Sequence, residues 1–494
     1  MDRASRVKAS VLTASILVGA LVLAGLTSCS GATHRARTGS LVWHGCGAIE
    51  CASLSVPLDW SRPSGRHIVL ALARRPARTH RLGVLLTNPG GPGGSGIDFV
   101  RDAADTFDGS IRDRFDIVSW DPRGVGRSAP ASCGDHLDYF YAVDRNGTDA
   151  ATTRANELVA KRFAADCARA AGPLLPYLST RDTVRDMDAI RAAMGEATID
   201  YLGFSYGTYI GALYADRYPH RVRAMVLDGA VDPAASYANG VILQSVGFEH
   251  ALDAFFTWCR GNRDCAFARS GNPERAFDDL MQSIAGKTDP GTVQGEHRNL
   301  GIGEANIGVA SALYAGNTDE GWVALGKALN DAARGDGSGL LKLSDAYTGR
   351  KTGGTYDNLT AAFYSISCID APAPARIDAI QRLAARAARA APHFGASTTW
   401  LGLPCTFWPA RAVDPPAPLH AVGAPPIVVV GNTDDPATPY IQAHALAREL
   451  RSGRLLTFVG EGHTEYGRGN RCIDDAVDRY LISLAVPAAG KRCS

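Results

Sequence analysis

One short stretch of strand, turn and helix signals constrains the fold of this chain more than any other. An apolar run from Ile199 to Leu202 is long enough for a buried strand, and a helical pattern follows from Thr208 to Tyr218. Between them Gly203, Ser205 and Gly207 stand in the spacing G-x-S-x-G. The pattern predicts a nucleophile elbow, a strained turn that exposes the serine hydroxyl at a helix N-terminus. Because the chain has 53 glycines, so short a motif also arises by chance, and the rest of the sequence must decide.

A glycine-rich loop follows an earlier strand signal. The run Val84–Thr87 has the apolar character of a central strand in a parallel sheet. The next segment, Asn88–Gly96, contains five glycines in nine residues. Glycines free a backbone N–H to point at a carbonyl oxygen, which acyl-transfer chemistry requires beside its nucleophile. A flexible loop and a dinucleotide or phosphate loop are the alternatives, and the serine motif favours an oxyanion loop.

Strand and helix signals alternate along much of the chain, which predicts an α/β fold with a mostly parallel central sheet. A helix is expected to begin at Thr180, which would cap it, and to run to Met194 before Gly195. The other predicted strands are Ile68–Arg74, Phe115–Trp120, Val222–Leu227, Ile427–Val430 and Leu455–Val459.

The strand signal fades from 236 to 400, where the sequence is mostly helical. A segment of this size does not fit the regular rhythm of the sheet. We interpret it as a large helical cap over the carboxyl edge of the strands. The cap would be inserted between two parts of the core, 41–235 and 401–494.

Two residues after the serine complete a possible catalytic triad. An α/β hydrolase places an acid and then a histidine after its nucleophile, each at the end of a strand. The strand signal at 427–430 leads to Asp434 and Asp435, and the signal at 455–459 leads to His463. A lone histidine or an Asp-Pro turn is ordinarily structural. Their joint order and positions, together with the glycine loop, favour a serine hydrolase.

The N-terminus has the layout of an export signal. Basic residues precede an apolar run from Val11 to Leu26, which is short for a spanning helix. The run ends in a sequence that resembles a bacterial lipobox, with Cys29 as the lipidated residue. We therefore expect a signal peptide at 1–28 and a flexible tether at 29–40. An ordinary cleaved signal and an uncleaved anchor are the alternatives.

The cysteine count agrees with export to an oxidising compartment. The chain has 11 cysteines, so ten, an even number, remain once Cys29 is set aside. The sequence alone does not fix their connectivity, and pairing of neighbours is our hypothesis. The pairs would be Cys46–Cys51, Cys133–Cys167, Cys259–Cys265, Cys368–Cys405 and Cys472–Cys493.

Composition excludes some classes of partner. The formal net charge is +1, and no nucleic-acid-binding motif is present in the sequence. Cysteine and histidine spacings typical of zinc ligands do not occur. We therefore expect no metal, no cofactor and no nucleic-acid partner, and contact with a membrane only through the lipid anchor.

The chain resembles a known family at five motifs. It is similar to the exported tripeptidyl aminopeptidase-like branch of the prolyl iminopeptidase family, α/β-hydrolase peptidases with some relatives catalogued as carboxylesterases. The likeness covers nearly all of the chain after Leu41. The motifs are Asn88–Gly96, Asp121–Ser128, Gly203–Gly207, Asp435–Pro439 and Gly462–Thr464.

The resemblance assigns roles residue by residue. It implies a triad of Ser205, Asp435 and His463, which settles the choice between the two neighbouring aspartates. It also implies an oxyanion hole formed by the backbone N–H groups of Gly91 and Tyr206. One departure is Asn88–Pro89, where prolyl iminopeptidases carry a histidine before the glycines. The exported branch shares this change, so the departure weakens only an inference of proline specificity.

Three functions from two classes follow from these observations. We expect an exported serine aminopeptidase that removes di- or tripeptides from peptides with a free N-terminus. The alternative enzyme is a carboxylesterase with the same triad, and the alternative outside enzymology is a non-catalytic binding module. For substrate binding we expect Thr438 and one cap acid, with Asp370 preferred because a disulfide at Cys368 would hold it in place. The acids considered are Glu249, Glu320, Asp357 and Asp370.

Overall fold

A computed structural model describes residues 41–102, 106–107, 109–267, 271–411 and 415–494. These residues belong to one compact unit, Gly39–Ser494. The predicted signal peptide, tether and lipidated Cys29 lie outside the described residues. Within the described part of the chain, no helix has the length and hydropathy needed to cross a membrane.

A ten-stranded sheet forms the centre of the protein, in the order β1-β2-β3-β5-β4-β6-β7-β12-β13-β14. The strands from β5 to β14 in this order pair in parallel, and β1, β2, β3 and β5 pair antiparallel. In chain order the strands of the described residues are His44–Gly45 (β1), Glu50–Pro57 (β2), His67–Arg75 (β3), Gly83–Asn88 (β4), Phe115–Trp120 (β5), Ile199–Phe204 (β6), Val222–Asp228 (β7), Asp289–Val293 (β8), Glu296–Leu300 (β9), Arg350–Lys351 (β10), Thr355–Tyr356 (β11), Ile427–Asp434 (β12), Gly453–Glu461 (β13) and Arg492–Cys493 (β14).

Helices lie on the faces of this sheet and make up most of the segment from 236 to 400. In chain order they are Gly96–Asp102 (α1), Gly109–Arg114 (α2), Asp138–Tyr141 (α3), Ala150–Ala171 (α4), Thr180–Ala193 (α5), Tyr206–Arg217 (α6), Tyr237–Gly261 (α7), Pro273–Gly286 (α8), Ile302–Ala315 (α9), Ala324–Ala332 (α10), Ser338–Thr348 (α11), Leu359–Asp370 (α12), Ile377–Ala390 (α13), Gly395–Leu401 (α14), Tyr440–Glu449 (α15) and Arg471–Ser483 (α16).

A strand is present at every position where the sequence predicts one. The central strands β4, β5 and β6 are buried along their whole length, which explains their continuous apolar runs. The sequence analysis missed β2, whose residues alternate between buried and exposed. That pattern is typical of an antiparallel strand with one face in solvent. The polar residues on the solvent face interrupt the apolar run by which the other strands were predicted.

The cap segment contains helices α7 to α14 and two short antiparallel ribbons, β8–β9 and β10–β11, which the sequence analysis did not foresee. It has a hydrophobic core of its own, including Phe255, Phe256 and Leu329. Helix α4, which precedes the predicted cap, also packs on it, since Phe163 lies in one cluster with Tyr364. The helices that pack together in this region therefore come from two separate parts of the chain, α4 and the cap segment.

One helix start differs from the prediction. Ser179 caps α5 and accepts the N–H of Asp182, and Thr180 is the first helical residue. The hydroxyl of Thr180 is engaged elsewhere, because it contacts Tyr206 and donates to Asp370 over 2.5 Å. A serine immediately before a threonine offers two possible caps, and tertiary contacts decide between them.

Five disulfides are present among the described residues, and they are the pairs that neighbour pairing predicts. Their Cα–Cα separations lie between 3.9 and 5.8 Å. They are Cys46–Cys51, Cys133–Cys167, Cys259–Cys265, Cys368–Cys405 and Cys472–Cys493.

Candidate active site

Ser205 occupies a strained turn between β6 and α6. Its φ and ψ are 54° and −126°, a region that costs a residue with a side chain about 1–3 kcal/mol. Both neighbouring glycines are required by close backbone approach. A Cβ on Gly203 would lie 2.4 Å from Gly207 O, and a Cβ on Gly207 would lie 2.6 Å from Asn88 O. Helix α6 begins at Tyr206, two residues earlier than predicted, so the serine directly precedes the helix.

The glycine loop after β4 lies against this turn. A Cβ on Gly90 would lie 2.9 Å from the Cβ of Ser205 and 3.1 Å from the backbone nitrogen of Tyr206. Gly90 and Gly91 have φ values of 93° and 111°, which other residues rarely adopt. The backbone of this loop and the first N–H of α6 therefore lie beside the serine, where an oxyanion hole requires them.

The glycine loop is also covered from the cap side. Gly91, Gly93 and Gly96 have the G-x-G-x-x-G spacing of dinucleotide-binding loops. The cap helix α12 packs on this loop, because a Cβ on Gly93 would lie 2.8 Å from Leu359 O. The loop thus lies between the elbow and the cap.

His463 and Asp435 form a buried pair at the ends of β13 and β12. Nδ1 of the imidazole lies 2.9 Å from each carboxylate oxygen, and the two side chains are 9% and 0% exposed. The other ring nitrogen, Nε2, is buried and has no hydrogen-bond partner within the described structure. The geometry suits a histidine that donates from Nδ1 to the acid and accepts a proton at Nε2.

The second aspartate does not take part in this pair. The side chain of Asp434 is exposed and accepts the hydroxyl of Thr433 over 2.7 Å. Asp435 instead accepts the N–H groups of Ala437 and Thr438 over 2.9 Å each. These bonds fix its carboxylate toward the histidine, in agreement with the assignment that the resemblance implies.

Thr438 was expected to bind substrate, and its position calls for a different role. Its hydroxyl donates to Asp435 Oδ2 over 3.0 Å and lies 3.3 Å from Nδ1 of His463. The side chain is buried. Thr438 therefore orients the acid and the histidine and does not line a substrate pocket. The sequence does not reveal this contact, because it depends on the turn after Asp435, which brings the hydroxyl of Thr438 back to the carboxylate of that residue.

Asp370 lies between the cap and the elbow. Its carboxylate accepts the N–H of Thr180 over 2.8 Å and its hydroxyl over 2.5 Å, and the hydroxyl of Tyr206 over 3.4 Å. The interactions with α5 and with the residue after the nucleophile use the oxygens that an ammonium group would need. The position explains Asp370 as a link from α12 to the elbow.

The other cap acids differ in how much of their carboxylate is free. Glu249 is buried and accepts from His393, with a distance of 2.6 Å to Nδ1. Glu320 is exposed. Asp357 is exposed, lies just before α12 and accepts the N–H of Leu359 over 3.0 Å. Because Leu359 is the residue whose carbonyl oxygen faces Gly93, Asp357 is near in sequence to the contact between the cap and the glycine loop.

The sequence analysis missed the residues that hold the histidine loop. Asn432, buried on β12, donates from Nδ2 to the carbonyl oxygens of Gly462 (2.8 Å) and Thr464 (3.2 Å). From the cap, Tyr314 accepts the N–H of His463 over 3.0 Å, and its ring meets the imidazole edge-on at 5.4 Å. The one clue to Asn432 was its position directly after the apolar signal at 427–430, in the stretch that also carries Asp434 and Asp435.

No group of three or more histidine, cysteine, aspartate or glutamate side chains in the described ranges is arranged to hold a metal ion.

Comparison with known proteins adds family evidence to this geometry. Residues 83–270 match the family model described as alpha/beta hydrolase fold, and 391–493 match the model described as TAP-like protein. The chain is 37% identical over 468 residues to serine protease Hip1 of Mycobacterium tuberculosis, covering 90% of this chain and 88% of that protein.

The chain belongs to the tripeptidyl aminopeptidase-like family of α/β hydrolases.

Two further relatives show the range of names within this family. Carboxylesterase B of Mycobacterium tuberculosis is 36% identical, with 90% of this chain and 86% of that protein covered. The tripeptidyl aminopeptidase of Streptomyces lividans is 32% identical, with 94% and 88% covered. As a member of the family the protein is a serine hydrolase with the α/β-hydrolase fold, and both of these predictions are confirmed.

Proposed function

We propose that this serine hydrolase is an exopeptidase that removes short N-terminal units from peptides through an acyl-enzyme at Ser205. The acyl-enzyme step is supported by the pairing of His463 with Asp435 at Nδ1 while Nε2 has no partner within the described structure. That arrangement suits a general base beside a strained serine. The choice of an exopeptidase is supported by the 32% identity to the tripeptidyl aminopeptidase of Streptomyces lividans.

The chemistry follows from the placement of the donors. The hydroxyl of Ser205 gives its proton to Nε2 of His463 as Oγ attacks the peptide carbonyl. The N–H groups of Gly91 and Tyr206 stabilise the oxyanion that forms. His463 then gives the proton to the leaving amine, and a water molecule, deprotonated by His463, hydrolyses the acyl-enzyme. Asp435 stays ionised and stabilises the imidazolium in both halves of the reaction.

Recognition of a free N-terminus requires a carboxylate within reach of the scissile bond. We propose Asp357 for this role in place of Asp370. Asp357 lies just before α12, and one of its oxygens accepts the N–H of Leu359. The carbonyl oxygen of Leu359 faces Gly93 of the oxyanion loop, which places Asp357 two residues along the chain from that contact. A substrate ammonium held there would fix the distance from the N-terminus to the bond that is cleaved.

The test compares three reporters with the mature enzyme: a free-amine tripeptide amide, its N-acetylated twin and a short-chain aryl ester. We expect the enzyme to hydrolyse the free-amine peptide and not its N-acetylated twin. Asp357→Asn should raise KM for that peptide about tenfold and leave ester hydrolysis unchanged, and Glu320→Gln on the exposed cap surface serves as the matched control. Equal effects on both substrates would refute the assignment of Asp357.

A carboxylesterase is the second candidate function, and the 36% identity to carboxylesterase B favours it. The triad chemistry would be the same, with an alkoxide as leaving group. Turnover of the aryl ester with no turnover of the free-amine peptide would establish the esterase.

We also propose that the enzyme acts outside the cytoplasm, held to the membrane by a lipid on Cys29. The signal layout at 1–28 and the five disulfides support export. Cys29→Ala should release activity from the membrane fraction into the medium. Unchanged membrane association of that variant would refute the anchor.

A further inference from the structure

A buried carboxylate outside the triad touches both halves of the active site. Asp228 ends β7, the strand between the serine strand β6 and the acid strand β12. Its backbone oxygen accepts the N–H of Ser205 over 2.8 Å. Its side-chain Oδ2 accepts the N–H groups of Glu465 (3.0 Å) and Tyr466 (2.8 Å), in the loop that carries His463. One residue thus connects the nucleophile to the general base.

The imidazole lies directly beside this segment. A Cβ on Gly229, the next residue, would lie 3.0 Å from Cε1 and 3.4 Å from Nδ1 of His463. Asp228 itself is 0% exposed, and its Oδ1 is buried without a hydrogen-bond partner in the described residues. Two N–H donors on one oxygen satisfy only part of a carboxylate, so its charge is poorly compensated by hydrogen bonds.

The groups that act on the pKa of Asp228 show which of them stabilise its negative charge. Burial raises the pKa of Asp228 to about 6, the charge of Asp435 raises it further, and the two N–H groups and the charge of His463 oppose this rise. A carboxylate stabilised by imidazolium stabilises imidazolium in return, because the interaction is mutual.

The other acid in the loop, Glu465, ionises less readily than Asp228. Burial raises the pKa of Glu465 to about 8, with the charges of Asp228 and Asp474 acting in the same direction and Arg468 against it. Glu465 is therefore mostly protonated where Asp228 is mostly ionised. Asp435 contacts His463 directly, and the charge of Asp228 interacts with that of His463.

We propose that Asp228 is a second carboxylate for the catalytic histidine, a positioning residue that holds the histidine loop and stabilises the imidazolium alongside Asp435. The inference rests on the proposed triad mechanism. It differs from a purely structural role in one respect: the charge of Asp228, and not only its hydrogen bonds, affects catalysis.

The test replaces the charge and keeps the shape. In Asp228→Asn the amide oxygen still accepts the loop N–H groups. Without the charge the imidazolium formed during the reaction is less stabilised, so the plateau rate should fall about tenfold. The acid limb of the pH profile, where the rate falls as the pH is lowered, should move down by about one pH unit. The limb belongs to the coupled Asp228–His463 pair, and its shift is the measured quantity. The readout is the rate at which a fluorophosphonate probe labels Ser205 from pH 5 to 9, which does not depend on the substrate class.

The controls separate the possible outcomes. Glu465→Gln removes a carboxyl whose raised pKa keeps it mostly protonated across the acid limb, so the limb should stay in place. Asp228→Ser, which leaves room for a water molecule, offers a second charge-free variant with the same expected shift. An unmoved limb in a folded variant, or failure of both variants to fold, would overturn the proposal in favour of a structural role. Absence of labelling in the wild-type enzyme would instead refute the triad mechanism itself.

Discussion

The two halves of the active site are built in different ways. On the serine side, backbone geometry fixes the site: Gly203 and Gly207 leave no room for a Cβ, and Ser205 has a positive φ. On the histidine side, side chains from neighbouring strands hold a loop in place, with Asn432 on its carbonyls and Asp228 on its N–H groups. The serine half is therefore encoded locally in the sequence, and the histidine half depends on the assembled sheet.

The largest effect should come from removing the base that joins the two halves. His463→Ala is expected to lower kcat/KM by roughly 10⁴-fold or more, because it removes the proposed base for the serine proton. Thermal unfolding should change little by comparison. The double variant with Ser205→Ala should be no slower than either single variant, because the residues act as a unit. Additive losses would contradict a shared mechanism.

A substitution in the serine half should damage the fold as well as the site. In Gly207→Ala the new Cβ would meet Asn88 O at 2.6 Å, so strand and helix must separate at a cost of about 2–4 kcal/mol in the free energy of unfolding. The matched control is Gly240→Ala in α7, where a Cβ meets nothing within 4 Å. Denaturant melts of both variants decide the matter. Equal stabilities would show that the elbow is more adaptable than its geometry indicates.

A substitution in the histidine half should affect activity more selectively. Asn432→Ala frees two carbonyls of the loop and should lower kcat roughly 10- to 100-fold with KM nearly unchanged, because the histidine loses its fixed orientation. Asn299→Ala, at an exposed position on the cap ribbon, is the control. A change confined to KM would place Asn432 in substrate binding and blur the distinction between the two halves.

The smallest effect concerns a second histidine held by carboxylates, far from the chemistry. His393 contacts Glu249 and Asp278 at 2.6 and 2.9 Å. Although desolvation opposes it, these hydrogen bonds raise its pKa to about 9.

Its stabilising contribution is complete below its unfolded pKa of about 6.5 and is lost as the pH rises through about 9. Between pH 6.5 and 9.5 the Tm of the wild type should fall by a few degrees more than that of His393→Ala. Full activity of that variant at pH 7 is also expected, with the exposed His250→Ala as reference. Parallel Tm curves would show that protonation of His393 does not stabilise the fold.

The contrast between the halves also explains which residues could be predicted from the sequence. The elbow, the glycine loop and the central strands depend on local patterns, so the position of Ser205 at the end of a buried strand followed from the sequence alone. Positions at strand ends indicated His463 and either Asp434 or Asp435, and the family resemblance selected Asp435. Thr438 was assigned to substrate because nothing in the local sequence shows that its hydroxyl turns back onto Asp435.

Contacts between distant segments account for the remaining differences. In the sequence Asp370 is a cap acid that could bind an ammonium group. Only the contacts with α5 and Tyr206 in the structure show that its oxygens are engaged. The ribbons of the cap are short, and they lie among helices whose signal dominates the region. Asp228 follows a predicted strand directly, in the same kind of position as the catalytic acid. Its importance depends on a loop 237 residues later in the chain.

The most direct test of the mechanism is to trap the acyl-enzyme. The enzyme would be mixed with an activated aryl ester, quenched in acid within the first turnover and mapped by peptide mass spectrometry. In the wild type we expect one acyl adduct, located on the peptide that contains Ser205. We expect no adduct in Ser205→Ala or His463→Ala. An adduct on another residue, or continued turnover by Ser205→Ala, would contradict this mechanism.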